Sequence, residues 1–270
     1  MSKKLIVPIL VVLLVLGGGI FGVIQIQKWL KPSSDKTTQK NKVAEEVNVI
    51  PLADRPYVQI APLADGHNVI LIVKSLGKTA QNAEYELEYQ SGTLLQGAFG
   101  SIELGTIPAQ EQVLLGSCSA GGKCSYHEDV QGGKLLLRFM DKDSKYVLRT
   151  DWRYRSNVNL EPQMGSKDAK FKITGDALAS QKYLVVYNSP GYPEGLTGEV
   201  VSDVYSLAVS GTLKGTGDVS IRVPTALDTD KLALMGYTGS EWKKLPSVVT
   251  DKTVIGANVE LMELYTVVKE

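Results

Sequence analysis

The sequence is poor in the residues that most enzymes use for acid–base chemistry. It has only two histidines, His67 and His127. His67 lies in the turn-like sequence Ala-Asp-Gly-His-Asn, and His127 precedes Glu128 and Asp129. Adjacent residues of a strand point to opposite faces, so these three do not form one acid–base cluster. The sequence also lacks a G-x-S-x-G elbow, an H-E-x-x-H helix and a phosphate-binding loop. We therefore expect a protein that is not an enzyme, with no catalytic residue, no cofactor and no metal site.

Cysteine is equally scarce. The two cysteines, Cys118 and Cys124, flank the sequence Ser-Ala-Gly-Gly-Lys, whose glycines allow the tight turn of a hairpin. A structural zinc site needs about four ligands, and only His127 is nearby. The spacing also differs from the C-x-x-C of redox-active thiols. We predict a disulfide between Cys118 and Cys124, which persists in an oxidising compartment. The alternative is a pair of free thiols in a cytosolic protein.

Neither sign of charge is in excess, since 29 basic residues balance 29 acidic residues. The distribution is uneven, because residues 1–46 carry 7 Lys and 3 acidic residues, a net +4. This leaves 22 basic and 26 acidic residues, a net −4, for residues 47–270. Nucleic-acid-binding proteins present a basic patch. The negative balance therefore excludes nucleic acid as an expected partner.

One uncharged hydrophobic run is long enough to cross a bilayer. Leu5–Ile26 holds 22 residues, which at about 1.5 Å per helical residue reach roughly 33 Å. Lys3 and Lys4 precede the run, and Trp29 follows it at the place of an interfacial aromatic residue. A cleavable signal peptide, with its small-residue site at Gly17–Gly19, is the alternative. Apolar residues continue beyond these glycines, which favours an uncleaved anchor.

The orientation of this anchor rests on two opposing signals. More lysines follow the run than precede it, which by the positive-inside tendency places the C-terminal part in the cytoplasm. The predicted disulfide argues for the opposite orientation. We predict a single-pass protein of the cell membrane, anchored by residues 1–31, with a cytoplasmic N-terminus and an extracytoplasmic bulk.

Beyond the anchor, a period of two residues dominates the sequence. Tyr85, Leu87 and Tyr89 alternate with glutamates, and residues 145–155 alternate in the same way. This is the pattern of strands with one buried and one solvated face. Short strands separated by turn residues every 8–12 residues or so are typical of antiparallel sandwiches.

We therefore predict an all-β fold that follows an N-terminal transmembrane helix. Polar residues without periodicity indicate a stalk, and a segment with Pro162 and Gly165 that breaks the alternation indicates an interdomain linker. The predicted parts are the anchor at 1–31, the stalk at 32–46, a first Ig-like β-sandwich at 47–157, a linker at 158–170, and a second β-sandwich at 171–270.

Residues 218–268 have the order strand, Pro, strand with Tyr, turn, Trp, strand. Gly239-Ser240 is expected to close a hairpin between Leu232–Tyr237 and Trp242–Leu245, with Tyr237 opposite Trp242. This order resembles the closing half of β-sandwich modules in bacterial surface proteins and the ZU5-like sandwich. The first domain resembles the immunoglobulin fold only in general, because its cysteines are too close for the Cys-Trp-Cys spacing. The resemblance implies spacer or binding modules, and the fold itself implies no activity.

One loop has the composition of an aromatic contact site. Residues 187–195 read Tyr-Asn-Ser-Pro-Gly-Tyr-Pro-Glu-Gly between two predicted strands, and we predict Tyr187 and Tyr192 as contact residues. The alternative is a rigid proline-rich turn with tyrosines lying on the surface of the domain.

Two D-x-D pairs resemble part of a calcium loop. The Gly and the bidentate Glu of a full EF-hand loop are missing, so ordinary solvated turns are the favoured interpretation. The pairs are Asp141 with Asp143 and Asp228 with Asp230.

Two functions fit the sequence. The first is a noncatalytic, membrane-anchored protein whose sandwiches serve as interaction or spacer modules at the cell envelope, with protein or glycan partners. The second is an envelope-associated carbohydrate-active enzyme or a glycan-binding accessory protein. Glycan binding needs aromatic rings on an exposed face, so burial of the following residues would count against it: Trp152, Tyr187, Tyr192 and Trp242.

Overall fold

A computed structural model describes residues 45–142, 144–224 and 231–270 of the chain. The predicted membrane anchor at Leu5–Ile26 and most of the predicted stalk lie outside these ranges. No helix within them is long and apolar enough to cross a membrane. Residues 46–270 form one compact unit.

Strands make up most of the described chain, with a 3₁₀ turn at Leu52–Asp54 and a short helix, α1, at Asp176–Ala179. The strands of the first half are β1 (Tyr57–Pro62), β2 (Asn68–Ser75), β3 (Asn82–Ser91), β4 (Leu94–Glu103), β5 (Ala109–Leu114), β6 (Gly116–Cys118), β7 (Cys124–Tyr126), β8 (Val130–Met140) and β9 (Lys145–Ser156). Those of the second half are β10 (Gln163–Gly165), β11 (Phe171–Thr174), β12 (Tyr183–Ser189), β13 (Glu199–Val200), β14 (Val204–Val209), β15 (Thr216–Arg222), β16 (Leu232–Tyr237), β17 (Trp242–Leu245), β18 (Val248–Thr250), β19 (Thr253–Glu260) and β20 (Leu264–Lys269).

One sheet, the long sheet, runs through both halves of the chain. Its strand order is β17-β16-β20-β14-β12-β9-β8-β3-β4, and β13 pairs with β20. The first small sheet has the order β1-β2-β5, and the second small sheet has the order β10-β11-β15-β19-β18. Strands β6 and β7 form a separate hairpin. The paired strands are antiparallel, which confirms the predicted all-β, antiparallel architecture.

The period-two pattern correctly predicted the strand faces in β3. Tyr85 and Leu87 are buried, whereas Glu84 and Glu88 are exposed. The predicted hairpin also forms between β16 and β17 with the predicted bounds. Tyr237 lies opposite Trp242 in its register, with ring centroids 5.2 Å apart.

The two small sheets cover opposite faces of the long sheet, and β12 is the strand that both use. Val185 and Tyr187 of β12 belong to the first hydrophobic core, together with residues of β1–β3, β8 and β9. Leu184 and Val186 belong to the second core, together with residues of β11, β14, β15 and β20. Alternate residues of a strand point to opposite faces. The two cores therefore lie on the two sides of β12.

Part of the predicted linker at 158–170 belongs to a β-sheet. It contains β10, which pairs with β11, and it begins after Asn157, a residue only 3% exposed. The Asn157 amide donates to the carbonyl oxygens of Leu178 and Glu161, and its Oδ1 accepts from the Glu161 N–H. The long sheet continues across this segment, since β9 pairs directly with β12. The division of the chain into two separate sandwich domains stays a prediction.

Candidate interaction surface

Strand β4 lies at one edge of the long sheet. It pairs with β3 along its whole length, from Ser91 opposite Leu94 to Asn82 opposite Glu103. Among the described strands, none pairs with its other side. Backbone N–H and C=O groups on the unpaired side of an edge strand can bond a further strand. At ten residues, β4 offers a long template for such pairing.

Three large apolar side chains of β4 are exposed. Leu94, Leu95 and Phe99 are 63%, 67% and 79% exposed, respectively, and the strand carries no charge before its last residue. The opposite edge of the same sheet, β17, has four residues, of which two are Lys243 and Lys244. Short length and lysines are common protections against edge-to-edge association. Strand β4 has neither protection.

The hairpin with β3 determines which face these side chains occupy. Gly92, in the turn between the two strands, has a positive φ of 54°, a conformation that glycine adopts at little cost. The register places Phe99 opposite Glu86 and Leu95 opposite Gln90. Directly opposed residues of antiparallel strands point to the same face. Because the alternate residues of β3 fill the first core, Leu95 and Phe99 lie on the outer face.

A groove of about 940 Å³ opens next to β4 on this outer face. Gln90 and Leu95 line one part of it, and two glycines of β8, Gly132 and Gly133, contribute backbone to its lining. A Cβ at Gly133 would lie 2.1 Å from the Glu88 carbonyl oxygen, and one at Gly132 would lie 2.5 Å from the Trp152 carbonyl oxygen. At both positions, only glycine fits without displacing the backbone of the adjacent strand.

Three cationic side chains line the other part of the groove: Arg153, Arg155 and Lys167. Arg155 forms an ion pair of 2.9 Å with Glu161 and donates to the Gln163 carbonyl oxygen. Lys167 donates to the Gly133 carbonyl oxygen at 3.1 Å and to Asp151 at 3.3 Å.

Arg153 differs from its two neighbours, because its exposed side chain makes no hydrogen bond or ion pair with the side chains or backbone of the described residues, whereas Arg155 and Lys167 each make both. A free guanidinium presents up to five N–H donors in a planar fork that suits carboxylate and phosphate groups. The groove can therefore receive an anionic group of a partner at Arg153, which lies on β9 at the far side of the groove from β4.

The predicted disulfide is confirmed. Cys118 and Cys124 are bonded and lie directly opposite each other in the β6–β7 hairpin.

The two histidines lie close to this hairpin and contact aromatic rings. His67 stacks on Tyr126 with 3.9 Å between ring centroids, and His127 Nδ1 lies 2.9 Å from the Tyr89 hydroxyl.

The predicted contact residues Tyr187 and Tyr192 do not form an exposed pair. Tyr187 is fully buried in the first core, where its hydroxyl accepts a hydrogen bond of 3.0 Å from Thr150 Oγ1. This burial raises the pKa of Tyr187. Tyr192 is partly buried and packs edge-on against Trp242, whose Nε1 donates to the Pro193 carbonyl oxygen at 3.1 Å.

Tyr187 is therefore part of β12, and the loop that carries Tyr192 folds back onto the long sheet, so both tyrosines contribute mainly to packing. Trp152 is also fully buried, and its Nε1 donates to the Glu88 carbonyl oxygen at 3.0 Å. Two of the four rings that a glycan-binding surface would need, those of Trp152 and Tyr187, are thus inaccessible. The burial of these rings counts against the glycan-binding alternative.

Of the two D-x-D pairs, only Asp141 lies within the described residues. Its carboxylate accepts hydrogen bonds from Thr79 Oγ1 at 3.0 Å and from the Lys142 N–H at 2.9 Å. In residues 45–142, 144–224 and 231–270, no group of three or more His, Cys, Asp or Glu side chains is arranged to hold a metal ion.

Sequence reasoning predicted a strand within β4 but missed its role as an apolar edge. The sequence did contain a signal for the β3–β4 hairpin, since the two residues Gly92-Thr93 between the strands fit a tight turn. The strand register that follows from a two-residue turn places Phe99 on the same face as the glutamates of β3. The position of β4 at the sheet edge, however, depends on long-range pairing.

Comparison with protein-family models, with curated proteins and with solved structures finds no match to this chain.

Proposed function

We propose that the chain is a noncatalytic, single-pass membrane protein whose β-sandwiches serve as an extracytoplasmic interaction module at the cell envelope. The contact surface is the β4 edge with the adjoining groove. The observation that carries this proposal is the exposure of Leu94, Leu95 and Phe99 on a ten-residue strand that is unpaired on one side.

The chemistry of this surface fits strand addition. In β-augmentation a strand from a partner adds to a sheet edge, where main-chain hydrogen bonds supply affinity and alternate side chains supply specificity. Leu95 and Phe99 present apolar side chains to such a strand on the outer face, and Arg153 on β9 offers a charge-assisted contact at the far side of the groove. A soluble protein rarely leaves an apolar edge of this length open unless another chain covers it.

The location in the proposal rests on two features of the sequence. Leu5–Ile26 has the length and composition of a membrane anchor, and a disulfide such as that between Cys118 and Cys124 persists in oxidising compartments. The two halves of the described chain are proposed to be Ig-like and ZU5-like sandwiches of the kind found in bacterial surface proteins.

Thiol labelling of the full chain in intact cells tests both parts of the proposal. The native cysteines are joined to each other, so a single introduced cysteine supplies the reactive thiol. Ser101→Cys places it on the outer face of β4, and Lys214→Cys places it at an exposed position away from this strand. The reagent is a maleimide that does not cross membranes.

We expect Lys214→Cys to react rapidly in intact cells and Ser101→Cys to react several-fold more slowly. After purification and dilution in detergent, both should react at similar rates, because the cover over β4 has dissociated. Labelling that requires cell lysis would refute the extracytoplasmic location. Equal rates for the two thiols in intact cells would show that the β4 edge is uncovered and is not the contact surface.

A further inference from the structure

The apolar residues on the outer face of β4 are arranged symmetrically about one glycine. Leu95 and Phe99 lie two residues before and two residues after Gly97. All three share the outer face, because side chains alternate along a strand. A strand with this arrangement is complementary to an antiparallel copy of itself.

Pairing with a second copy follows from elementary sheet geometry. A two-fold axis perpendicular to the sheet makes two β4 strands antiparallel and keeps their outer faces on the same side. If the axis passes midway between the two copies of Gly97, each glycine lies opposite its own copy. Leu95 of each copy then lies opposite Phe99 of the other. Aromatic–aliphatic cross-strand pairs stabilise antiparallel sheets, and this register makes two such pairs around one axis.

Electrostatics do not oppose this register. Glu88 of β3 lies next to Gly97, but the two copies of Glu88 would be separated by three inter-strand spacings, roughly 14 Å. This exceeds the Debye length of about 8 Å at physiological ionic strength. Glu86, which lies next to Phe99, forms an ion pair of 2.9 Å with Arg138 in its own chain.

We infer that the partner at the β4 edge is a second copy of this chain, paired β4 to β4 about Gly97 so that the two long sheets become one. This inference rests on the proposed function, since it names the partner of the same surface. The contact is isologous and uses the apolar edge of each copy, while the other edge of the long sheet carries Lys243 and Lys244. An isologous contact closes the assembly at a dimer.

A cysteine at position 97 tests this register directly. A Cβ on Gly97 would have only ordinary contacts, at 3.8 Å from the Phe99 ring and 4.0 Å from the Leu87 carbonyl oxygen, so Gly97→Cys should fold. In native membranes under mild oxidation, we expect the full-length Gly97→Cys chain to form a covalent dimer that reducing agent separates. Directly opposed residues of paired strands lie close enough for a disulfide.

Ser101→Cys is the matched control on the same face of the same strand. In the inferred register its two copies lie eight residues apart along the ladder, roughly 27 Å, so it should remain monomeric on a nonreducing gel. A second arm adds Phe99→Lys to Gly97→Cys, and we expect cross-linking to fall at least about tenfold. Val248→Lys, which replaces an apolar residue that is 64% exposed on β18, should leave cross-linking unchanged.

The outcomes separate this inference from the proposed function. If Gly97→Cys does not cross-link while Ser101→Cys is protected from maleimide in cells, β4 binds a different chain and only the second-copy partner is refuted. Equal cross-linking at positions 97 and 101 would refute the register. Cross-linking that Phe99→Lys leaves unchanged would refute the role of the apolar pairs.

Discussion

Arg153 and Arg155 are two residues apart on the same face of β9, yet only one of them is bonded within the fold. Arg155 joins β9 to Glu161 and Gln163, whereas Arg153 has no such partner among the described residues. We expect Arg155→Ala to lower the free energy of unfolding by about 1–2 kcal/mol. Arg153→Ala should change it by less than about 0.5 kcal/mol. Urea unfolding of the full chain in mild detergent, followed by circular dichroism, measures both. Equal losses would contradict this assignment of the two arginines.

Asp168 is a second residue whose environment has a measurable consequence. Burial alone would raise the pKa of its carboxyl, but hydrogen bonds from Ser166, the Lys170 N–H, Tyr205 and Asn188 outweigh burial and lower the pKa. The network joins the 158–170 segment to β12 and β14.

The lowered pKa of Asp168 predicts a loss of stability in acid. A carboxyl with a folded pKa below its unfolded value, which is about 3.9 for Asp, stabilises the fold fully above that value. Its contribution disappears as the pH falls through the folded pKa. We therefore expect Asp168→Asn to cost about 1–3 kcal/mol at neutral pH. The gap between variant and wild type should narrow below about pH 4. A gap in unfolding free energy that stays constant from neutral to acid pH would contradict this.

At the scale of elements, local patterns predicted the strands and the disulfide well. The alternation in β3 and β9 identified strands with one buried face. The Gly-Gly turn between Cys118 and Cys124 was sufficient to predict the disulfide. The strand alternation and the disulfide could both be predicted because each depends on residues that are close in the sequence. The β16–β17 hairpin was predicted to the residue for the same reason.

Features that depend on distant strands were not predictable from local pattern. Tyr187 looked like an exposed loop residue, but β12 is covered on both faces, and its odd-numbered residues enter the first core. Phe99 is the reverse case, since an aromatic residue in a strand suggests a core position although it is exposed at an edge. For both residues, the neighbouring strands and sheets that pack against the strand decide whether the side chain is buried or exposed.

The disulfide hairpin gives a prediction at this scale. Cross-linking Cys118 to Cys124 closes a short loop, which stabilises the folded chain by about 2 kcal/mol in the chain-entropy model. We expect the double variant Cys118→Ser/Cys124→Ser to unfold at a correspondingly lower urea concentration while keeping the strand signal in circular dichroism. Loss of that signal in the absence of urea would show that the hairpin is required for the whole fold.

In the described part of the chain, two large hydrophobic cores lie on opposite sides of one sheet, besides two smaller clusters. Strand β12 contributes to both cores, with Val185 in the first and Val186 in the second. If either core unfolds, one face of β12 therefore loses its packing. Because the other core also needs β12, that core is destabilised as well. This arrangement predicts coupling between the two halves across the sequence boundary at 158–170.

We expect the chain to unfold in a single transition. Leu135→Ala removes a fully buried side chain from the first core and Ile173→Ala from the second. Each should cost about 2–5 kcal/mol and shift the same transition to lower urea concentration. Two separate transitions, one shifted by each variant, would instead show that the halves fold as independent domains.

The central claim is that another strand covers the β4 edge when the chain is in its membrane. Amide hydrogen exchange of residues 94–100, measured by mass spectrometry, tests it most directly, because strand addition bonds the outward N–H groups of β4. We predict slower exchange of this segment for the full chain in native membranes than for the chain diluted in detergent. Phe99→Lys should restore fast exchange in membranes, whereas Val248→Lys should not. Equal exchange of residues 94–100 in membranes and in dilute detergent would contradict the claim.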